Sequence, residues 1–596
     1  MMNRLLVIGG ASFDVLHLED RTVAAAGGAG MYAAMAAQRC GAQTTLLGPH
    51  PDPCPGPLQP VAARLEAWLG PIVSPEKLPR FEISHKQGKT EYLSEFIGAE
   101  ETFSPDALPD DLSLYDHIHI AALGDANKQL AFIEACRQRG AKQISAGTGM
   151  SIAAQQPQVV RAILEQTELF FMNLGEAEAL FGSLEKARTE PGKLLYVTLG
   201  SQGACIIQGE YATKIPAVAV RELDPTGAGE TFCGATLAFL LQKKHPIMAA
   251  RQAVALAAEM ITQVGPAALL TADPPPPAAL EPQVQLNEGR IQKIAAKIAT
   301  LPEVHPFAFV SPELPIVGDP RTVDFFFAGT LQQFSFWSVR DDRYHLPLID
   351  SIDGVKQKGS DYLWGAFKRR LAQDPDFCSP ARQANLTREE MLALFRADDG
   401  GDPMPALDLH LEMAQQYGRD MLALGLTPQL VLAKALASDQ PLQTFILLLD
   451  KIAGYKEDPL RKKSSLLAMI LNQRPERFLP LRADEEVEPV IDYHAQRFCL
   501  RVGLIDVLDE ALNNSLLNRQ VISAEAEWAV RYAAYRAIEQ VTLQSGRETG
   551  AVDWYTFNAR RRCPEMSEPE CQLCQVDPVC AHRKGLFQPV LRTSFY

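Results

Sequence analysis

Along residues 1–272, short apolar runs alternate with alanine-rich helical stretches. Leu5 to Ile8 reads as a buried strand and 42–50 as another. Further strands are expected near Ile118 to Ala122, Gln143 to Ser145 and Leu169 to Met172. Phe81 to Phe96 alternates loosely between apolar and polar positions. Gly27-Gly28-Ala29-Gly30 opens a helical pattern towards Arg39, and Gly234 to Leu241 belongs to another. Strands alternating with helices predict a parallel sheet covered by helices.

This rhythm stops at 272–279, where Pro274, Pro275, Pro276 and Pro277 follow one another. Such a run cannot continue a helix or a central strand, and it reads as a stiff linker. Domains tend to part in such segments. Beyond Ile291 the pattern is mostly helical. Thr387 and Glu390 form a capping box, and Ser523 is placed to cap a helix through Trp528, Tyr532 and Ile538. The expected organisation is an α/β domain at 1–272, a Pro-rich linker at 273–282 and an all-α domain at 283–596. A chain of 596 residues is too long for one core.

Composition narrows the partners. The net charge of −15 argues against binding to DNA or long RNA, which usually requires a basic face. No run approaches a membrane span, and no signal-peptide pattern precedes the first strand. The expected setting is therefore cytoplasmic, with a small-molecule substrate and no membrane partner; a homodimer is compatible with the sequence. Of eleven cysteines, four cluster near the C-terminus. Cys205 and Cys233 stand in apolar surroundings typical of core thiols.

The richest chemistry lies at Asp224-Pro225-Thr226-Gly227-Ala228-Gly229-Glu230. A strand-like run, Ala217 to Val220, precedes it and a helical pattern follows. Glycines at a strand-to-helix turn expose backbone N–H groups, and the helix dipole favours an anion there. A carboxylate one turn in, Glu230, can deprotonate a hydroxyl beside a bound phosphate. The plainer account is a tight turn with a helix cap.

The stretch resembles the signature loop of ribokinase-like (PfkB-type) sugar and nucleoside kinases, usually Asp-Thr-Thr-Gly-Ala-Gly-Asp. Glu230 stands where that pattern has its catalytic Asp, one methylene longer. Misplacement on that scale can cost about a hundredfold in rate. The resemblance spans roughly 1–272. It implies a mostly parallel sheet with a small lid sheet at Phe81 to Phe96, ATP and Mg²⁺ as cofactors, and a nucleoside or sugar acceptor. It further implies that Asp14 accepts hydrogen bonds from ribose hydroxyls and that Gly28 lets the backbone approach. Tyr32 replaces a common Asn, which implies a changed acceptor. Asn173 and Glu176 would organise Mg²⁺ and phosphates, with Thr198, Gly200 and Gly203 on the nucleotide side. The Gly227, Ala228 and Gly229 amides would hold the transferred phosphoryl group. Read without the resemblance, Asn173 is a helix cap followed by an acidic first turn.

In the second half, Asp324-Phe325-Phe326-Phe327 and Phe334-Ser335-Phe336-Trp337-Ser338 form an aromatic cluster. Such clusters are usually core, and some make stacking walls for bases. Gln333 to Trp337, Leu394 to Asp398 and Met404-Pro405 resemble segments of the queuosine salvage family, the queuosine 5′-phosphate N-glycosylases. A more distant resemblance is to helix-hairpin-helix base-excision glycosylases of the archaeal 8-oxoguanine type. From the residues alone, Lys462 and Lys463 are solvated charges at a helix start, and Asp492 caps another helix. The resemblances imply a catalytic pair instead: a lysine, Lys462 ahead of Lys463 on register, and Asp492. Asp492 would orient water or stabilise an oxocarbenium-like ribose. Phe336 and Trp337 would stack on the base, Asp398 would contact substrate, and His494 and Arg497 would serve the phosphate.

The cysteine cluster reads Cys563-x7-Cys571-x2-Cys574-x5-Cys580. Four thiolates at this spacing suit a metal site better than disulfides. Zinc and a [4Fe–4S] cluster are both chemically acceptable. The spacing resembles the iron–sulfur loop of base-excision glycosylases, usually x6-x2-x5, which implies a structural [4Fe–4S] cluster, with zinc the less favoured occupant.

Together these features lead to the expectation of a bifunctional salvage enzyme. The first domain would phosphorylate queuosine at its 5′-hydroxyl with ATP. The second would hydrolyse the N-glycosidic bond of queuosine 5′-phosphate, releasing queuine and ribose 5-phosphate. Two other readings stand beside it. One is a DNA-repair N-glycosylase/lyase fused to a sugar kinase, with a Schiff-base lysine. The other is a lapsed kinase serving as a nucleoside-binding module.

Overall fold

The computed structural model describes residues 3–86, 89–276 and 280–596. Pro277, Ala278 and Ala279 of the expected linker lie outside the described residues. The chain divides into two compact units, 1–279 and 280–596.

The first unit is built on a nine-stranded sheet. Arg4–Ile8 lies inside it, between His117–Ile120 and Gln43–Leu47. Ile144–Gly147, Leu169–Asn173 and Leu194–Thr198 continue the parallel run on one side. The antiparallel hairpin Ala204–Gln208 and Tyr211–Ile215 closes that edge. Alternate side chains of a strand point to opposite faces. Leu5 and Val7 accordingly enter one core, which takes in the helices Ala29–Arg39, Ala228–Leu241 and Pro246–Met260. Leu6 and Ile8 enter the other, with Ala126–Gln138 and Pro157–Gln166. Burial on both faces explains why these strands read as continuous apolar runs. A separate four-stranded sheet, Thr22–Gly27, Ser12–His17, Arg80–Lys86 and Lys89–Phe96, makes the lid.

Two local expectations fail for identifiable reasons. The run Ala217 to Val220 is not a strand; the strand ends at Ile215. Pro216 follows directly, and a residue without an N–H cannot extend the ladder. The Pro-rich segment 51–60 is only partly loop, because the helix Gln59–Arg64 begins within it. Pro60 falls in that helix's first turn, where proline is tolerated.

The second unit is helix-rich. Both expected caps form: Thr387 and Glu390 close a capping box, and Ser523 accepts from the Ala526 N–H. Phe325, Phe326 and Phe327 are completely buried. Short two-stranded ribbons accompany the helices: Val284–Leu286 with Ile505–Val507, Trp337–Arg340 with Arg343–Pro347, and Ile349–Ile352 with Val355–Lys358. The last two turn through Asp341-Asp342 and Asp353-Gly354, all at positive φ, as two-residue hairpins require. Among the described residues, no helix is long and apolar enough to cross a membrane.

Candidate functional site

In the first unit the helix Ala228–Leu241 starts from Gly227 in the left-handed conformation, φ 78°. A Cβ on Gly227 would lie 2.4 Å from the Tyr32 ring. Glycine is therefore demanded both by φ and by the ring beneath it. Tyr32 itself is buried under this turn, and its hydroxyl has no hydrogen-bond partner among the described residues. Asp224 pins the other end of the loop. It accepts from the Thr226 N–H at 3.0 Å and the Gly265 N–H at 2.7 Å. His85 of the lid reaches the same loop, with Nε2 2.7 Å from Thr226 Oγ1 and 3.4 Å from Asp224 Oδ1. Sequence reading passed over His85, because a lone histidine in an alternating strand carries no motif.

Glu230, one turn into the helix, lines a cavity of about 80 Å³ with Gly229, Asn173, Glu176, Thr198, His119 and Cys233. Burial raises the Glu230 carboxyl above its ordinary range. Asn173 and Glu176 form a complete capping box: the Glu176 N–H donates to Asn173 Oδ1 (2.9 Å), and the Asn173 N–H donates to Glu176 Oε2 (2.8 Å). The plain helix-cap reading of this pair is thus realised, and the same pair faces the cavity. Burial, with Glu230 as a further like charge, lifts Glu176 to about 7. Acidic side chains thus converge beside the N-terminus of a helix, an arrangement suited to a divalent cation and phosphate oxygens.

Asp14, Gly28, Gly200, Gly203, Gly227 and Ala228 do not line this small cavity. Asp14 is buried at the base of the lid, accepting from the Phe81 N–H at 3.2 Å. Burial lifts its carboxyl to about 6. A Cβ on Gly27 would fall 1.8 Å from Asp14 Oδ2, so that glycine makes room for the carboxylate. Gly28, φ 99°, precedes the helix Ala29–Arg39. Gly203, φ 96°, passes so close to the edge strand that a Cβ would meet the Ile215 carbonyl oxygen at 2.0 Å.

In the second unit Lys462 and Asp492 line one cavity of about 350 Å³. Lys462 opens the helix Lys462–Gln473, and Asp492 caps Tyr493–Val502, accepting from the Ala495 N–H at 2.8 Å. The lysines are not solvated: relative exposure is 5% for Lys462 and 2% for Lys463. Lys462 Nζ donates to the Gln333 carbonyl at 2.9 Å, and burial lowers its pKa to about 8. Lys463 turns away from the cavity. Its Nζ donates to the Leu331 carbonyl at 2.8 Å and sits 5.0 Å over the Phe334 ring.

A buried clamp holds the two elements. Arg531 donates to both oxygens of Asp458, at 2.8 and 2.7 Å, and its Nε donates to the Ile491 carbonyl at 3.2 Å. Asp458 Oδ2 also accepts from the Lys462 N–H at 2.9 Å. One guanidinium thereby fixes the first turn that carries Lys462 and the residue before Asp492.

Several expected contacts fall elsewhere. Phe336 and Trp337 are buried outside the cavity lining; Trp337 packs with Tyr344, Tyr493 and Phe587. The aromatic rings that do line it are Phe307, Phe309, Trp364, Trp554 and Phe557. These come from segments distant in sequence, which is why no local cluster announced them. Asp398 is exposed and accepts from the Asp353 and Gly354 N–H groups, so it holds a hairpin turn. His494 and Arg497 are buried against each other, Arg497 Nη2 donating to His494 Nδ1 at 2.9 Å, and neither lines the cavity. The arginines that do are Arg560 and Arg561. Arg560 lies 3.7 Å over the Phe557 ring and 3.7 Å from Asp361. Asp553 is a further carboxyl of this lining, within electrostatic reach of Lys462 and Asp492, and sequence reading missed it, since it has no motif.

Cys563, Cys571, Cys574 and Cys580 line one small hollow, none of them in a disulfide. Arg501 Nη1 donates to Cys563 Sγ at 3.4 Å, and the His582 N–H donates to Cys580 Sγ at 3.3 Å. N–H donors on the Cys563 and Cys580 sulfurs suit thiolates that ligate a metal or cluster. Cys571, Asp577 and His582 also place ligand atoms within 4.8 Å of one another, a mixed donor set on the rim.

Comparison with known proteins follows this division. Residues 91–273 match the model of the pfkB family of carbohydrate kinases. Residues 314–457 match the model of the queuosine salvage protein family. The chain thus carries one segment similar to each family, and the second match ends before Lys462. A ribokinase from Lactococcus lactis is 43% identical over 65 residues, 11% of this chain. That alignment spans only 22% of the relative's length. Among solved structures, a Cryptococcus neoformans ribokinase with ADP aligns at TM-score 0.39 and 19% identity, covering 44% of this chain and 95% of that one. An aminoimidazole riboside kinase from Salmonella enterica aligns at 0.38 and 20%, covering 45% and 97%.

Proposed function

We propose that the protein phosphorylates queuosine at the 5′-hydroxyl and then hydrolyses the N-glycosidic bond of the resulting 5′-phosphate. The observation that carries this reading is the meeting of Lys462 and Asp492 in one aromatic-lined cavity, in a chain that also bears the Gly227–Glu230 loop. In the first unit, Glu230 takes the proton of the acceptor hydroxyl. The Gly227, Ala228 and Gly229 amides hold the phosphoryl group, and Asn173 and Glu176 would hold Mg²⁺, which supplies positive charge against the phosphates. In the second unit, Asp492 activates water and faces the positive charge that develops on the ribose. Arg560 and Arg561, not His494 and Arg497, grip the phosphate; a guanidinium can hold it through two parallel hydrogen bonds. The deciding experiment is incubation of the protein with queuosine, with and without ATP, separating nucleoside, nucleotide and base by chromatography. Base release from unphosphorylated queuosine at equal rates with and without ATP overturns the two-step order.

Lys462, with its pKa lowered to about 8, would also suit Schiff-base chemistry on a sugar. Borohydride trapping on an oxidised-guanine duplex, with no activity on queuosine 5′-phosphate, would favour that repair reading.

Two further outcomes are expected. Asp14 must be ionised to accept from ribose hydroxyls, and its carboxyl titrates at about 6. Nucleoside affinity should therefore weaken as pH falls through about 6, while Asp14→Asn binds weakly with little pH dependence. Titration calorimetry across that range checks it. The four cysteines would hold a [4Fe–4S] cluster in a structural role. Cys574→Ala should abolish the brown colour of anaerobically purified protein and lower the melting temperature of the second unit. Stoichiometric zinc without sulfide overturns the cluster assignment.

A further inference from the structure

Asp553 has no part in the reading above, yet it stands inside the same cavity. The helix Thr549–Asn558 presents Asp553, Thr556 and Phe557 to it, the i, i+3, i+4 spacing of one helical face. Three of the charged groups that share it are already engaged. Lys462 Nζ donates to the Gln333 carbonyl, Asp492 accepts from Ala495, and Arg560 is paired with Asp361. The Asp553 carboxyl makes no hydrogen bond or ion pair with any described residue. The charged groups sharing the cavity with it are Lys462, Asp492, Asp361, Arg560, Arg561 and Glu313. Two carboxyl groups facing one enclosed space rarely both ionise, because each raises the cost of charging the other.

We infer that Asp553 is the general acid of the cleavage, giving its proton to a ring nitrogen of the leaving base while Asp492 takes a proton from the attacking water. The inference rests on the proposal that this cavity cleaves an N-glycosidic bond. Burial, reinforced by the Asp492 charge and opposed by Lys462, lifts the Asp553 carboxyl to about 8, so it carries a proton at neutral pH. The C1′–N bond breaks with its electron pair passing to the base, which Asp553 protonates. Water adds its oxygen to C1′ and loses a proton to Asp492. Transfer of that proton from Asp492 to Asp553 restores both groups, so the net change is nucleotide plus water to free base plus ribose 5-phosphate. One carboxylate and one carboxylic acid thereby perform complementary tasks in a single site.

The test compares two substrates on the full chain. Queuosine 5′-phosphate needs its leaving base protonated; p-nitrophenyl β-D-ribofuranoside 5-phosphate does not, since nitrophenolate departs as an anion. Asp553→Asn is expected to lose about a hundredfold or more in kcat on the nucleotide, the usual share of a general acid. Its loss on the nitrophenyl compound should stay within about tenfold, the gap being that same general-acid share. Asp553→Glu, which keeps the acid, should release base well faster than Asp553→Asn. Equal losses on both substrates, a parent-like rate on the nucleotide, or equal rates for the Glu and Asn variants would overturn the assignment. If the parent protein releases base from no nucleotide, the glycosidic reading falls first and takes this inference with it.

Discussion

Asp492→Asn is expected to stop base release while leaving phosphorylation intact, so queuosine 5′-phosphate accumulates whenever ATP is present. Asp492 holds its place through backbone geometry that an amide can keep. Its side chain accepts from the Ala495 N–H, and Asn caps helices about as well as Asp. The Arg531 clamp acts on the neighbouring Ile491 carbonyl and on Asp458, not on the Asp492 carboxylate. Fold and cavity should therefore survive the change, and what disappears is negative charge beside the reacting ribose. A positioned carboxylate in such a reaction stabilises a cationic transition state and removes a proton from water. Losing both functions should cost more than the roughly 10²–10⁴-fold ascribed to proton transfer alone. Chromatography of nucleoside, nucleotide and base over time reads the result. Base release at the parent rate would remove Asp492 from the mechanism. Lys463→Ala provides a contrast: its amine faces the Leu331 carbonyl and the Phe334 ring, so its effect should fall on stability more than on turnover.

What the sequence disclosed follows from how far each signal travels along the chain. The parallel sheet was legible because strands buried on both faces read as unbroken apolar runs, as Leu5 to Ile8 does. Gly227 was legible because a positive φ and a ring beneath it leave no other residue an easy fit. Helix caps at Asn173, Thr387 and Ser523 were legible because the partner lies three residues away. The second cavity was not, beyond Lys462 and Asp492. Its rings come from Phe307, Trp364 and Trp554, far apart in sequence and each unremarkable in its own segment. The Phe336-Trp337 pair drew attention because it was contiguous, yet contiguity on a chain says little about which side chains share a hollow. Tyr32 is similar: its position in the helix was clear, but its burial beneath Gly227 depends on a contact across nearly two hundred residues.

Glu230→Gln is expected to remove phosphoryl transfer and leave ATP binding nearly unchanged. The side chain lines the cavity beside Asn173, Glu176 and Thr198, whereas the loop amides belong to the backbone and do not depend on it. Glutamine has nearly the same volume, so the helix start at Gly227 should keep its shape. The lost element is a base whose pKa burial has raised. A raised carboxyl pKa makes a stronger base, and it also means that the parent's rate declines as pH falls and Glu230 takes up a proton. The Gln variant has no such group, so its residual rate should be lower by about 10²–10⁴-fold and should lack that acid limb. Glu230→Asp separates charge from position. It keeps the carboxylate and withdraws it towards the helix by about one bond, enough in a positioned site to change the rate by about a hundredfold. The Asp variant should transfer phosphate well above the Gln variant; a rate above the parent's would mark the longer side chain as a compromise in placement. Phosphorylation of queuosine by Glu230→Gln at the parent rate would exclude Glu230 as the base and shift attention to Glu176, the other buried carboxyl of the same cavity, itself raised to about 7.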